Sequence, residues 1–232
     1  MRILGREVLE ALLPPADVIA AVERAFRECA AGRAEALPRA VLPMGRHGVF
    51  LAMVSALPRL GALGTKLVTV VERNQRRGLP TIHASYLLTD PETGAPLALM
   101  EAGFLTGIRT GATSAVAARH LARRDSRVVA CFGAGVQARF QLLCLSQVLP
   151  LAEVRVVGRD PARATAFAEG MRRELRIDVH VETSRKAAVT GADVITCATT
   201  SSRPVFSGQD LAPGTHVDGV GTFRPVLANW TR

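Results

Sequence analysis

The chain has 232 residues, of which 48% are hydrophobic and 21% charged, a composition typical of globular proteins with one large or two modest cores. Only 4% of the residues are aromatic, which favours an α/β class, with helices packed on a buried parallel sheet, over an aromatic-rich β-sandwich. The formal net charge is +9, but the basic residues are scattered and lack interleaved aromatics, so we predict no nucleic-acid partner.

The sequence does not show the patterns typical of secreted proteins, of membrane-spanning proteins or of proteins stabilised by a metal site. Residues 1–17 hold no apolar run with the flanks of a secretory signal, and no stretch approaches the roughly 18 apolar residues of a membrane span. The four cysteines form no Cys-x-x-Cys pair and have no histidine at zinc-finger spacing, which predicts neither disulfides nor a metal site. We therefore expect a cytoplasmic protein without a membrane partner.

The first half of the chain predicts a mostly antiparallel α+β domain over residues 1–124. Apolar residues recur at helical spacing over residues 18–29, and Gly32 ends this pattern. Residues 90–94 have the composition of a hairpin turn, and an alanine-rich helix is predicted over residues 106–122. Between the two helices lie four strand-like runs, at residues 49–54, 62–72, 81–89 and 96–100.

From Arg127 onward, strands alternate with helices, a pattern that requires crossover connections and predicts a parallel sheet. We assign residues 125–232 to this second domain. The predicted strands are 128–132, 154–157, 179–181, 194–197 and 216–220, and the predicted helices are 137–147, 161–173 and 186–190. Because a dinucleotide-binding sheet usually has about six strands, we expect the domain to be truncated at its C-terminus.

A glycine motif follows the first strand of the second domain. Gly133, Gly135 and Ala138 form Gly-x-Gly-x-x-Ala between a buried strand and an amphipathic helix. The first glycine permits a tight turn, the second lets the backbone approach a pyrophosphate, and the alanine permits close packing of helix on strand. Strand, motif, helix and second strand together predict a Rossmann-type unit that binds NAD or NADP.

The residues after the second strand bear on the choice between the two cofactors. Arg159 stands where an NAD-specific protein usually presents an acid to the ribose, and a guanidinium there can pair with the 2′-phosphate of NADP. Arg163, one turn later, can assist. Asp160 leaves NAD open as the alternative, because its carboxylate can either cap the next helix or face the ribose. We predict NADP.

Further motifs, spread over both halves of the chain, resemble the ornithine cyclodeaminase and mu-crystallin family, which includes ketimine reductases and some alanine dehydrogenases. They are Gly64-Thr65-Lys66, Leu79-Pro80-Thr81, residues 90–96, 105–110 and 117–121, and residues 133–141. The resemblance implies that Lys66 and Arg109 are the catalytic residues and bind the substrate carboxylate beside the nicotinamide, with Arg39 a better candidate helper than Arg46. A planar carboxylate suits the two parallel hydrogen bonds of an arginine and the compact charge of a lysine.

We also place Arg109 in the first turn of its predicted helix, where free N–H groups would reinforce anion binding. The resemblance further implies that Thr81 and Thr199 contact the cofactor and that the protein forms a homodimer through its first domain. The cofactor-binding residues predicted from the motif and the resemblance together are Thr81, Arg109, Gly133, Gly135, Val136, Gln137, Arg159, Thr199 and Val220.

One segment departs from the cyclodeaminase pattern. In cyclodeaminases and the related alanine dehydrogenases the fifth strand is followed by Val-Gly-x-Asp, whose carboxylate handles protons, whereas this chain has Val220-Gly221-Thr222-Phe223. Without that acid, cyclisation with loss of ammonia is hard to stage, while reduction of a preformed cyclic imine asks only for orientation and a hydride donor. We predict an NADPH-dependent reductase that converts pyrroline-2-carboxylate or piperideine-2-carboxylate to proline or pipecolate. The alternatives are an ornithine cyclodeaminase, an alanine dehydrogenase, or a truncated and catalytically silent cofactor-binding protein.

Overall fold

The computed structural model describes residues 1–45, 48–220 and 230–231. The chain divides into two compact units, Met1–Thr106 and Gly107–Arg232. The helices are α1 (Arg6–Leu12), α2 (Pro15–Ala30), α3 (Ala102–Leu121), α4 (Val136–Leu145), α5 (Pro161–Leu175) and α6 (Arg185–Val189). Among the described residues, no helix has both the length and the apolar character needed to cross a membrane.

The first unit is built on a mostly antiparallel sheet. Strands β4 to β7 pair antiparallel in chain order, β1 adds to β7 in parallel, and both β2 and β3 pair with β4. The strands are β1 (Arg2–Leu4), β2 (Glu35–Ala36), β3 (Ala40–Pro43), β4 (Gly48–Leu57), β5 (Ala62–Val71), β6 (Ile82–Thr89) and β7 (Pro96–Glu101). The prediction of an antiparallel first half is confirmed.

Local chemistry explains the two most regular features of this unit. Helix α2 begins with Pro15 at its first position, where a missing N–H costs nothing. The β6–β7 hairpin turns at Asp90, whose carboxylate accepts N–H bonds from Glu92 and Thr93, each at 2.9 Å, while Gly94 takes a φ of 72°. The predicted hairpin turn is therefore confirmed, with the mechanism expected of an aspartate at a turn.

The second unit contains a five-stranded parallel sheet. Its strand order is β10-β9-β8-β11-β13. From the central strand β8 the chain adds β9 and β10 on one side, and it then crosses back to add β11 and β13 on the other side. The strands are β8 (Val128–Phe132), β9 (Glu153–Val157), β10 (Asp178–Val181), β11 (Val194–Cys197) and β13 (His216–Gly219); β12 (Phe206–Ser207) pairs separately with β14 (Trp230–Thr231). All five predicted parallel strands and the three predicted helices between them are confirmed.

Helices cover both faces of the parallel sheet. On one face, Ala118 of α3, Leu142 of α4 and Met171 of α5 pack with Val129 and Val154 of the strands. On the other face, residues of α6 and β12 pack against β8 and β11. Strands β8 and β11, inside the sheet, are almost entirely apolar and buried, which is why the sequence reveals them well.

Candidate functional site: a phosphate loop and a lysine-bearing strand

The turn after β8 requires a glycine at position 133. Gly133 has a φ of 115°, a conformation that L side chains rarely adopt. A Cβ at this position would lie 2.6 Å from the carbonyl oxygen of Ala198, just beyond β11. The N–H of Gly133 donates to the carbonyl of Val157 at the end of β9 (2.9 Å). The turn therefore lies against the ends of both neighbouring strands, at the point where the strand order reverses and open α/β sheets bind ligands.

The helix that follows this turn begins without a side-chain cap. Gly135 is the N-cap of α4, and the first N–H to bond within the helix is that of Arg139, which donates to the Gly135 carbonyl (3.1 Å). The N–H groups that precede this bond belong to Val136, Gln137 and Ala138. A Cβ on Gly135 would meet only Nη2 of Arg163, at 3.7 Å. An uncapped helix start beside an open glycine and a guanidinium fits the pyrophosphate of a dinucleotide.

Arg159, Asp160 and Arg163 differ in their contacts at the end of β9. Asp160 is the N-cap of α5 and accepts the N–H of Arg163 at 3.2 Å. The Nε of Arg163 donates to the carbonyl of Ala134 (3.2 Å), within the turn of residues 133–135 that we call the phosphate loop. Arg159 is exposed. Of the two roles left open for Asp160, the structure shows helix capping, and it places Arg163 on the phosphate loop.

Two glycines bring α3 against α4. A Cβ on Gly107 would collide with the ring of Phe140, and a Cβ on Gly111 would collide with the Phe140 carbonyl. The close approach orders the helix that carries the phosphate loop, since Phe140 and Ala138 are both buried. Arg109 is exposed and lies on the opposite side of α3 from the two glycines, two residues from each.

The prediction that Arg109 lies in the first turn of its helix is wrong. Helix α3 begins at Ala102, because the carboxylate of Glu101 accepts the N–H groups of Gly103 (2.5 Å) and Phe104 (2.9 Å) and caps the helix a full turn earlier than expected. Arg109 is therefore in the helix interior, and the helix N-terminus does not contribute to anion binding there.

Two further predicted cofactor residues follow the carboxyl ends of the parallel strands. Thr199 lies two residues after β11, and its hydroxyl accepts the N–H of Ser201 (3.3 Å). Val220 directly follows β13, and its N–H donates to the carbonyl of Cys197 (3.1 Å). Because β8, β11 and β13 are parallel neighbours, Thr199 and Val220 share one edge of the sheet with Gly133.

Three buried thiols in this unit are unsuited to nucleophilic chemistry. Burial raises the pKa of Cys144 to about 12, and burial together with the nearby Asp218 carboxylate raises that of Cys197 to about 12. Burial also raises the pKa of Cys131 far above its ordinary value. These thiols stay protonated at neutral pH, whereas the thiolate is the reactive form.

In the first unit, Lys66 lies in the middle of the central strand β5. It is half-buried and pairs with Met53 on β4 and with Tyr86 on β6. A Cβ on Gly64, two residues before Lys66 and on the same face of the sheet, would fall on the hydroxyl of Tyr86. Lys66, Gly64 and Tyr86 therefore form one continuous patch on this face.

Arg39 and Lys66 lie at about the same position along the strands of the sheet, whereas Thr81 lies at the end of a strand. Arg39 is exposed and directly precedes Ala40. Ala40 pairs with Ala52 of β4, and the next residue of β4, Met53, pairs with Lys66. Thr81 directly precedes β6, and its carbonyl accepts the N–H of Val71 (2.8 Å), the last residue of β5. Arg46 lies outside the described residues.

Sequence reasoning did not single out Tyr86, which the structure places beside Lys66. Its place beside Lys66 depends on the pairing of two strands whose residues are far apart in the sequence, and only the register reveals it. The signal that could have found it is the alternation of β6, since every second residue of a strand shares a face.

The parallel sheet, the glycine turn at its switch point and the uncapped helix start define a protein with a Rossmann-type dinucleotide-binding domain. The chain belongs to the ornithine cyclodeaminase/mu-crystallin family, whose model matches residues 3–229.

Reductases and dehydrogenases are among the relatives. The chain is 38% identical over 212 residues to the Δ1-pyrroline-2-carboxylate reductase of Bacillus thuringiensis subsp. konkukian, covering 91% of this chain and 65% of the relative. The structure of Thermococcus litoralis Δ1-pyrroline-2-carboxylate reductase in complex with NADH and L-proline matches with a TM-score of 0.91 and 42% identity, covering 95% of this chain and 68% of that one. An archaeal alanine dehydrogenase dimer with bound NAD matches with a TM-score of 0.92 and 34% identity, covering 99% of this chain and 70% of that one. The chain thus spans about two thirds of the length of these relatives.

Proposed function

We propose that this protein is an NADPH-dependent reductase of small cyclic ketimines, which converts pyrroline-2-carboxylate or piperideine-2-carboxylate to proline or pipecolate. The observation that carries the proposal is the phosphate loop, in which a glycine turn, an uncapped helix start and Arg163 converge. Similarity to a reductase that binds NADH and L-proline supports the substrate class. The division into a substrate-binding domain at residues 1–124 and a cofactor-binding domain at residues 125–232 is part of the same proposal.

The preference for NADPH is argued from charge. The exposed Arg159 and the loop-bound Arg163 place two guanidinium groups around the start of α5, and a 2′-phosphate accepts charge-assisted hydrogen bonds from such groups. Asp160, the acid that could bind the ribose hydroxyls of NAD, already caps α5 with Oδ1. The two solved relatives hold NADH and NAD, so cofactor preference is the point at which this chain would differ from them.

The proposed reaction requires little acid–base catalysis by the side chains of the protein. In the proposal, Lys66 and Arg109 bind the carboxylate of the substrate, and Arg39 assists, which orients the C=N bond. Bound NADPH supplies the hydride that the imine carbon accepts. Since the imine nitrogen is protonated before the transfer, the product amine forms without a further proton donor. Electrostatic binding of the one carboxylate restricts the substrate to a few orientations. This restriction is the main contribution of such a site to the reaction rate.

A second candidate is alanine dehydrogenase, favoured by the match to the archaeal dimer. An ornithine cyclodeaminase is disfavoured, because Phe223 stands where the family's proton-handling carboxylate is expected. Phe223 lies outside the described residues, so this argument rests on the sequence.

Steady-state assays separate these candidates. We expect oxidation of NADPH in the presence of pyrroline-2-carboxylate or piperideine-2-carboxylate, with a higher kcat/KM than for NADH. NADH oxidation with pyruvate and ammonia, but with neither imine, would establish the alanine dehydrogenase instead. Release of ammonia from L-ornithine with NAD would contradict both and support the cyclodeaminase.

A further inference from the structure

Tyr86 is the only tyrosine of the chain, and its side chain is placed by two features of the sheet. Its strand partner is Lys66, so the two residues lie directly opposite each other on the same face. Side chains in such a pair have Cβ atoms about 4.5–5.5 Å apart. Gly64 provides the space in which the ring lies, because a Cβ there would overlap the hydroxyl and the ring carbon that bears it.

The ring of Tyr86 therefore extends diagonally across β5, and its hydroxyl lies over Gly64. Gly64 and Lys66 are two residues apart on β5, so they are neighbours on the same face of the sheet. Lysine has a flexible four-carbon stem, long enough for its ammonium group to reach the neighbouring position on the same face. A single anionic group above β5 can thus meet both the ammonium of Lys66 and the hydroxyl of Tyr86.

The hydroxyl itself is suited to donate to a ligand. Among the residues whose side chains the structure describes, none forms a hydrogen bond with this hydroxyl, and Tyr86 as a whole is half-buried. Partial burial raises the pKa of Tyr86 above its ordinary value, so the group keeps its proton at neutral pH and above. A half-buried phenol has already lost part of its hydration on folding, which lowers the desolvation cost of a hydrogen bond to a ligand.

We propose that the hydroxyl of Tyr86 donates a hydrogen bond to the substrate carboxylate that Lys66 binds, which makes Tyr86 a substrate-binding residue of this site. The inference rests on the proposed function, since it takes from there the role of Lys66. It adds a neutral donor to a site otherwise built from cations, and it explains why position 64, in the middle of a strand, is a glycine.

The variant Tyr86→Phe removes the hydroxyl and keeps the ring over Gly64. Because the bond is made to a part of the substrate that does not react, it is equally strong in the ground state and the transition state. We expect KM for pyrroline-2-carboxylate and Kd for L-proline, measured by calorimetry with oxidised cofactor present, each to rise about tenfold. We expect kcat to stay within about twofold of that of the unsubstituted chain.

Ser85→Ala is the matched control. It also removes one hydroxyl from β6, but Ser85 is exposed on the opposite face of the sheet, so KM and Kd should not change. Thermal melting of both variants checks that the fold is kept.

The outcomes separate this inference from the proposed function. If the unsubstituted chain reduces neither imine, the proposed function fails, while the L-proline titration still tests Tyr86. Values of KM and Kd in Tyr86→Phe within twofold of the unsubstituted chain overturn the inference and leave the reductase in place. A chain that reduces neither imine and binds neither L-proline nor L-pipecolate overturns both, and a fall in kcat at constant KM also contradicts the assigned contact.

Discussion

At the residue scale, cofactor choice depends on two arginines that the structure treats differently. Arg163 is held by the carbonyl of Ala134 and by the start of α5, so its position is set before any cofactor binds. Arg159 is exposed. A fixed guanidinium loses little conformational entropy on binding, whereas an exposed arginine side chain loses more. The ordering of Arg159 therefore reduces the net gain from its bond to a 2′-phosphate, but position 159 is where an acid would select NAD, so we expect discrimination between the cofactors to be most sensitive to charge there.

We predict that Arg159→Asp reverses the preference for NADPH. The substitution replaces a phosphate-binding cation with an acid that repels the 2′-phosphate and can accept bonds from the ribose hydroxyls of NAD. Kd for NADPH should rise by about 10- to 100-fold, as measured by titration of intrinsic fluorescence. Arg185→Asp makes the same charge change at an exposed position on α6 and should leave both affinities unchanged. Tighter binding of NADH than of NADPH by the unsubstituted chain would show that the charge argument is mistaken.

We also predict that Lys66→Ala and Arg109→Ala each lower kcat/KM by about 10- to 100-fold, the cost of one charge-assisted hydrogen bond. Thermal stability should change little, because neither side chain is fully buried. Arg124→Ala, which removes an exposed guanidinium in the segment after α3, serves as the control. Unchanged kinetics in Arg109→Ala would end the assignment of that residue to the substrate carboxylate.

At the scale of elements, one carboxylate joins three segments of the second unit. Asp193, just before β11, accepts N–H bonds from Arg127 (2.8 Å) and Val128 (3.0 Å) at the start of β8 and a bond from the guanidinium of Arg123 after α3. Arg123 in turn donates to the carbonyl of Pro213 before β13 (3.3 Å). This cluster aligns the amino ends of the parallel strands, opposite the edge that carries the phosphate loop.

We predict that Asp193→Asn destabilises the protein by about 1–3 kcal/mol at pH 7, the cost of losing the charge from a hydrogen-bonded carboxylate. Partial burial opposes ionisation of Asp193, but the bonds from Arg127, Val128 and Arg123 outweigh it and hold its pKa below the ordinary value. A carboxyl with a lowered folded-state pKa contributes stability above its unfolded pKa of about 3.9 and loses that contribution as the pH falls through the folded value.

The difference in unfolding free energy between the two proteins should therefore shrink as the pH drops below about 4. Urea denaturation at pH 7 and in this acidic range measures it. Asp125→Asn is the control, since Asp125 is 89% exposed and lies 3.9 Å from the same arginine, so its loss should have little effect. A difference for Asp193→Asn that stays constant with pH would mean that the charge is not what stabilises the cluster.

The sequence predicts the elements whose cores are local and misses those that depend on distant partners. Strands β8 and β11 are almost entirely apolar, valines recur at every second position of β9 and β10, and all four strands match their predicted bounds closely. In contrast, β3 is exposed along its whole length and ends at Pro43, so it carries no alternating pattern to detect. Helix α1 buries only Leu9, and three-residue β1 exists because β7 offers it an edge.

The same reason separates the parts of the site. The phosphate loop is contiguous in the chain, so its glycines and their roles follow from the motif. The contact of Tyr86 with Gly64 depends on the register of two strands, and the hydrogen bonds to Asp193 come from distant segments. The cap of α3 depends on the side chain of Glu101 folding back onto its own helix. None of these has a periodicity that a sequence window reports.

At the scale of the whole molecule, one face of the sheet of the first unit carries exposed leucines among the described residues. Leu67 on the central strand β5 and Leu42 on β3 share this face and are 39% and 63% exposed. Exposed apolar patches on a sheet mark interaction surfaces. The archaeal relative is a dimer, and a second copy of this chain is the partner that we propose for this face.

We therefore predict a homodimer that Leu67→Asp converts to monomers, because a buried unpaired carboxylate at the interface is costly. Light scattering coupled to size-exclusion chromatography measures the mass. Leu121→Asp introduces the same charge at a 74% exposed leucine at the end of α3 and should leave the dimer intact. A monomer at micromolar concentration without any substitution would refute the prediction.

Helix α3 has a consequence for anyone who wishes to produce half of this protein. The two units meet between Thr106 and Gly107, yet α3 runs unbroken from Ala102 to Leu121 and starts on the carboxylate of Glu101. A fragment that begins at Gly107 would have four new unbonded N–H groups at its helix start and no acid to receive them. We expect a dinucleotide-binding fragment that begins at Glu101 to express in folded form more readily, with α3 supplied whole against Phe140 of α4.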